Sequence, residues 1–205
     1  MDRLKCLQTL PKFVVSKHDS ASGCIGELGK LKNLQGKLLI KELQNVRSAD
    51  DALNAGLKDK GYLEKLVLEC NIPPEEVLCI SESQRSVLEN LQPRENLKSL
   101  SIKRYSGKGF SDWIGGLTSL SELKLFDCKY CSALPSLGHL TSLVQLLIYS
   151  CPELKYMPEE GFPASLRFLW IASVCPVLEE ELKDNWASRY VYDDSMFETM
   201  EEDEY

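Results

Sequence analysis

Three stretches of this 205-residue chain carry residue types that could do chemistry. Cys128-Lys129-Tyr130-Cys131 is a CxxC, the spacing at which two thiolates can share a zinc ion or exchange a disulfide. Gly23-Cys24-Ile25-Gly26-Glu27-Leu28-Gly29-Lys30-Leu31 has the glycines and the lysine of a phosphate loop. The third is the segment 176–205, where eleven acids face only Lys183 and Arg189, so that paired carboxylates could be sought there. His18 and His139 are the only histidines, too few for a Ser-His-Asp or Cys-His arrangement to be read from spacing.

Each stretch has a simpler structural reading. The glycine segment places five residues, not four, between Gly23 and Gly29, and puts Leu31 where Ser or Thr should hold magnesium. No second CxxC or suitably spaced histidine pair accompanies Cys128 and Cys131. The acids of the tail lie in low-complexity sequence, without the rigid, desolvated pocket that acid–base catalysis needs. They make either a solvating tail or an intramolecular mimic of an acidic ligand. No cofactor, no metal and no enzyme activity is expected.

The elements that position these residues come from a repeat. Leu97/Leu100/Ile102, Leu120/Leu123/Leu125, Leu143/Leu146/Ile148 and Leu166/Leu169/Ile171 recur at a constant interval of 23 residues. In LxxLxL the second and third apolar residues point inward on the period of two, and the residues between them face out. One unit cannot bury its own apolar edge, but stacked copies cover each other. The expected fold is therefore an α/β leucine-rich-repeat solenoid. A curved parallel sheet forms its concave face, with irregular segments and short helices on the convex face. The register also settles the CxxC: Cys128 falls 23 residues before Cys151 and Cys131 falls 23 before Leu154, so both occupy interior slots as small buried hydrophobes.

About seven repeats are expected over 1–178, irregular up to 96 and regular from 97, with an acidic cap and disordered tail over 179–205. A degenerate first copy runs through Leu7, Leu10, Phe13 and Val15, followed by a mobile polar loop over 16–27. Leu28, Leu31 and Leu34 lead to a strand around Leu38 and Ile40. Ser48 caps a helix that buries Ala52, Leu53 and Leu57, sets Lys58 and Lys60 at its C-terminal end, and stops at Gly61. The interval from Leu63 to Leu97 exceeds the regular period, and the surplus at 72–86 reads as a loop insertion before a short helix at Val87–Leu91. Cys175 lies one residue past the slot taken by Val174, which suggests a bulge. A short helix is expected near 179–186.

The net charge of −7 comes from the tail, because residues 1–175 carry 22 basic and 20 acidic side chains. That balance excludes a general nucleic-acid binder. There is no run of 18 apolar residues, no apolar signal core at the start and no Asn-x-Ser/Thr sequon, which together point to a cytoplasmic protein without a membrane span.

The informative surface is the set of outward strand positions. Glu122, Lys124 and Phe126, then Gln145, Leu147 and Tyr149, then Phe168 and Trp170 stand on neighbouring ladders, preceded by Lys103. Strands about 4.8 Å apart let these side chains touch. A contiguous aromatic patch suits a protein interface, or is covered within the molecule by the acidic tail or by another domain. Lys37, Lys41 and Lys65, on the earlier strands, are candidates for intramolecular docking.

Segments of the chain resemble the leucine-rich-repeat region of plant intracellular nucleotide-binding leucine-rich-repeat disease-resistance proteins, the class with an N-terminal coiled coil. They include Leu7-Gln8-Thr9-Leu10-Pro11-Lys12-Phe13, Ile25-Gly26-Glu27-Leu28, Leu43-Gln44-Asn45-Val46, Phe110-Ser111-Asp112-Trp113-Ile114 and Cys131-Ser132-Ala133-Leu134-Pro135. The nucleotide-binding module of such receptors has no counterpart here, so nothing about ATP hydrolysis carries over. The resemblance implies recognition of a pathogen effector or a host protein. It alternatively implies an autoinhibitory role, packing on a receptor's nucleotide-binding domain.

Overall fold

A computed structural model describes residues 6–17, 23–71, 77–158, 160–176 and 178, of which 77–82 as backbone only. Seven strands form one sheet in sequence order: β1 (Lys12–Val14), β2 (Gln35–Lys41), β3 (Tyr62–Glu69), β4 (Ser99–Lys103), β5 (Glu122–Phe126), β6 (Gln145–Cys151) and β7 (Phe168–Val174). Every pairing is parallel. The 23-residue interval is the sheet register itself, since Leu100, Leu123, Leu146 and Leu169 stand opposite one another, as do Ile102, Leu125, Ile148 and Ile171. These inward residues are buried and form one continuous core with the convex segments. The leucine-rich-repeat solenoid expected from the spacing is the fold.

A second periodicity, carried by no apolar residue, closes the repeats of β2 and β4–β7. Arg104, Asp127, Ser150 and Ser173, again 23 apart, have φ of 54–56°, and Glu42 has 61°. One left-handed residue reverses the inward–outward alternation, so the next residue, Leu43, Tyr105, Cys128, Cys151 or Val174, turns into the core. Val174 pairs with Cys151 in regular register, so the bulge expected near Cys175 is absent. At the end of β3 no such residue occurs, and Cys70 itself enters the core, leaving Asn71 exposed.

The convex side shows where local expectation fails. Ser48 Oγ accepts the Asp51 N–H at 3.1 Å and caps α1 (Ala49–Asn54), as its position implies. The helix ends sooner than Gly61, because Gly56 takes φ 59° and opens a separate 3₁₀ turn, Leu57–Asp59. This turns Leu53 outward, 61% exposed, and brings Ala55 into the core instead. Ile25–Lys30 is a 3₁₀ helix with Ile25 and Leu28 buried, so the expected mobile loop ends before Ile25, and residues 18–22 lie outside the described set. The loop expected up to 86 is corrected too: α2 (Val77–Asn90) is helical throughout. No Pro or Gly interrupts it, and Pro73-Pro74 and Pro93 bracket it in the sequence. The expected cap and tail at 179–205 lie outside the described residues.

Candidate protein-binding surface

The parallel register places three ladders on the outer face of the sheet. The first runs Lys37, Lys65, Ser99, Glu122, Gln145, Phe168. A middle ladder runs Lys12, Leu39, Val67, Ser101, Lys124, Leu147, Trp170. On the third, Glu69, Lys103, Phe126, Tyr149 and Ala172 stand in line. The residues read from the sequence as one surface are thus brought together, but to different depths. Phe168 is 52% exposed, and Phe126, Tyr149, Lys103, Lys124, Glu122 and Gln145 are half-buried. Leu147 and Trp170 are 1% and 5% exposed, so they form the floor of the face.

Side-chain pairs organise this face. Tyr149 and Trp170, diagonal neighbours on β6 and β7, stack with ring centroids 5.5 Å apart and planes 3° from parallel. Lys103 Nζ lies 5.6 Å from the centre of the Phe126 ring, within reach of its negative face. Burial pushes the Lys103 ammonium below its ordinary pKa, opposed by the nearby Glu69 carboxylate. Lys124 pairs with Glu122 at 3.1 Å, and Ser99 Oγ donates to the same carboxylate.

The basic candidates separate. Lys41 is tied to Glu69 at 3.2 Å, whereas Lys65 is exposed and stands beside the half-buried Lys37. Two further residues belong to this face: Glu69, an outward position of β3 by the same alternation, and Arg104, which the alternation does not reach. Glu69 is a buried acid held between Lys41 and Arg104, the latter at 3.5 Å. Arg104 lies beyond the strand alternation, but its left-handed backbone turns the guanidinium back over the face, where it also donates to Asn71 Oδ1 at 3.5 Å. Its corner position two residues after Ile102 recurs at Asp127, Ser150 and Ser173, whose residue types give no signal of the shared conformation.

The residues first weighed for chemistry serve packing. Cys128 and Cys131 are fully buried free thiols, and Cys131 Sγ donates to Gly107 O at 3.1 Å. Burial raises the Cys128 thiol well above its ordinary pKa, which keeps it protonated. Gly23 N–H donates to Glu27 Oε2 at 2.9 Å, so a carboxylate of the chain satisfies the donor a phosphate would need. Gly29 lies against the end of α1, where a Cβ would stand 2.1 Å from Asn54 O. His139 is exposed in a turn, and Glu160 accepts the neighbouring Leu137 and Gly138 N–H groups at 3.0 and 3.2 Å. Among the described residues no helix is long and apolar enough to cross a membrane.

Comparison with known proteins gives this architecture its relatives. Residues 25–170 match the family of R13L1/DRL21 LRRs. The putative disease resistance RPP13-like protein 1 of Arabidopsis thaliana is 38% identical over 137 residues, covering 62% of this chain and 12% of that protein. Disease resistance protein RGA2 of Solanum bulbocastanum is 36% identical over 139 residues, covering 66% of this chain and 14% of that protein. The chain thus spans a small part of the length of the relatives it matches. With its parallel register, its left-handed repeat corners and this match over most of its length, the chain belongs to the R13L1/DRL21 leucine-rich-repeat family and is similar to plant disease resistance proteins.

Proposed function

We propose that this chain is a non-enzymatic protein-recognition module of plant innate immunity, acting in the cytoplasm. It binds a pathogen effector or a host protein through the outer, concave face of the sheet. The observation that carries this reading is the strip across β4–β7, where Lys103, Phe126, Tyr149 and Phe168 surround the buried Leu147–Trp170 floor. Half-exposed aromatics over a rigid, well-packed base are what interface anchors look like, whereas catalysis would need convergent titratable groups in a dry pocket. The sheet holds these side chains at fixed spacing before a partner arrives, which limits the ordering cost of binding.

The test is to replace Phe126 and Phe168 by Ala and leave Trp170 and Leu147 intact, because those two are part of the packed base. Proteins retained by the immobilised wild-type chain from challenged plant tissue are compared with those retained by the double variant. Loss of two anchors of roughly 2 kcal/mol each lowers affinity by a factor of hundreds. Retention of the same proteins at the same level by both chains overturns the reading.

A further inference from the structure

We propose that the part of a partner seated on β6 and β7 is an uncharged, apolar peptide segment in extended conformation, and that Gln145 holds its backbone. The proposal rests on the reading of the concave face as the binding surface and names the chemistry which that surface accepts.

The face changes character between β5 and β6. Through β5 and its corner the charges are matched within the chain: Lys41 and Arg104 both meet Glu69, Lys124 meets Glu122, and Lys129 meets Asp127. A partner charge arriving there competes with pairs that already exist, so those strands offer little net attraction to either sign. The outward positions of β6 and β7 are Gln145, Leu147, Tyr149, Phe168, Trp170 and Ala172, none of them charged. A carboxylate or ammonium pressed onto that half loses its water and gains no counter-ion, so the strip rejects it. Apolar side chains meet no such cost, and the 52% exposed Phe168 beside the 38% exposed Val144 gives them surface to cover.

Gln145 is the polar exception on this strip. It is half-buried between Glu122 and Phe168 in the first ladder, and its side-chain amide makes no hydrogen bond among the described residues. The acid beside it is already engaged, since Glu122 holds both Lys124 and the Ser99 hydroxyl. A primary amide offers an acceptor and two donors, the complement of a peptide N–H and C=O. In a helix those backbone groups bond to one another, whereas an extended segment presents them sideways. Gln145 therefore supplies the hydrogen bonds that an apolar floor lacks, and the backbone of the bound segment is not left unsatisfied.

Random peptides of about twelve residues, displayed on phage, test this by selection on the immobilised full chain with a counter-screen on Phe168→Ala. Sequences that fail to bind Phe168→Ala are expected to share an apolar run free of Asp, Glu, Lys and Arg. The synthetic form of the most enriched peptide should bind no more than about twofold weaker at roughly 1 M salt than at roughly 0.1 M. Gln145→Leu, which makes the face more apolar, should weaken it roughly tenfold through the lost amide. N-methylation of one peptide nitrogen should weaken wild-type binding as much and leave binding to Gln145→Leu unaltered. A charged consensus, affinity that collapses with salt, equal or tighter binding by Gln145→Leu, or no peptide dependent on Phe168 would overturn the proposal. Peptides that need Phe168 but ignore Gln145→Leu overturn it while leaving the face as the binding surface, which the Phe126/Phe168 capture result tests on its own.

Discussion

Tyr149 and Trp170 stack face to face across β6 and β7, 5.5 Å between ring centroids, and thereby join the exposed rim of the concave face to its buried floor. Trp170→Ala should cost about 3–5 kcal/mol in urea unfolding, because it empties a packed site. Tyr149→Ala should cost less. A double-mutant cycle on the two should return a coupling of about 0.5–1.5 kcal/mol, and strict additivity would show that the rings do not support each other.

Lys60 is a buried amine, 1% exposed, whose Nζ donates to Leu28 O at 2.8 Å and Leu31 O at 3.3 Å. It thus satisfies carbonyls at the end of the Ile25–Lys30 3₁₀ helix. Desolvation lowers its pKa from 10.5 to about 8. Between those values the unfolded chain holds the proton that the folded chain has released, so stability rises with pH across that window and is flat below it. Relative to Lys60→Met, wild-type stability should gain on the order of 1–3 kcal/mol between pH about 8 and 10.5. Parallel pH profiles for the two proteins would contradict the buried-amine assignment.

Two glycines on the convex side make opposite predictions. A Cβ at Gly29 would meet Asn54 O at 2.1 Å, and a Cβ at Gly116 would meet nothing within 4 Å. Gly29→Ala should destabilise by roughly 1–3 kcal/mol through forced separation of packed segments. Gly116→Ala should be neutral or stabilising by up to about 1 kcal/mol. Equal thermal midpoints for the two variants would refute the close-approach account.

The left-handed corners give a fourth test. Ser173 has φ 54° and is exposed, so its backbone can be probed without disturbing the core. Ser173→Val should cost about 1–2 kcal/mol and Ser173→Gly should not, since a β-branched side chain is strained there and glycine is not. Equal stability of the two variants would remove the role given to this repeat position.

What the sequence made legible was whatever repeats in apolar character. The spacing of the leucines specified the strand register and the inward slots of Cys128, Cys151 and Val174. Ser48 announced its cap because Ser before a helix has one dominant use. The corner at Arg104, Asp127, Ser150 and Ser173 was hidden because a left-handed backbone is a conformation, and its residue types share no chemistry. Lys60 was expected at the C-terminal end of the helix, but Gly56 ends α1 early and the lysine is buried with its amine on Leu28 O. Leu147 and Trp170 were placed on the right face, but a period of two says nothing about how deeply that face is covered.

The central claim is that partners meet the concave face over β4–β7. A photoreactive amino acid placed at Phe168 or Lys103 on that face, or at the exposed Leu53 on α1, reports contact directly when the chain is irradiated in challenged plant tissue. The account predicts covalent protein adducts from Phe168 and Lys103 and none above background from Leu53. Adducts of the same proteins from Leu53, with Phe168 and Lys103 silent, would contradict it.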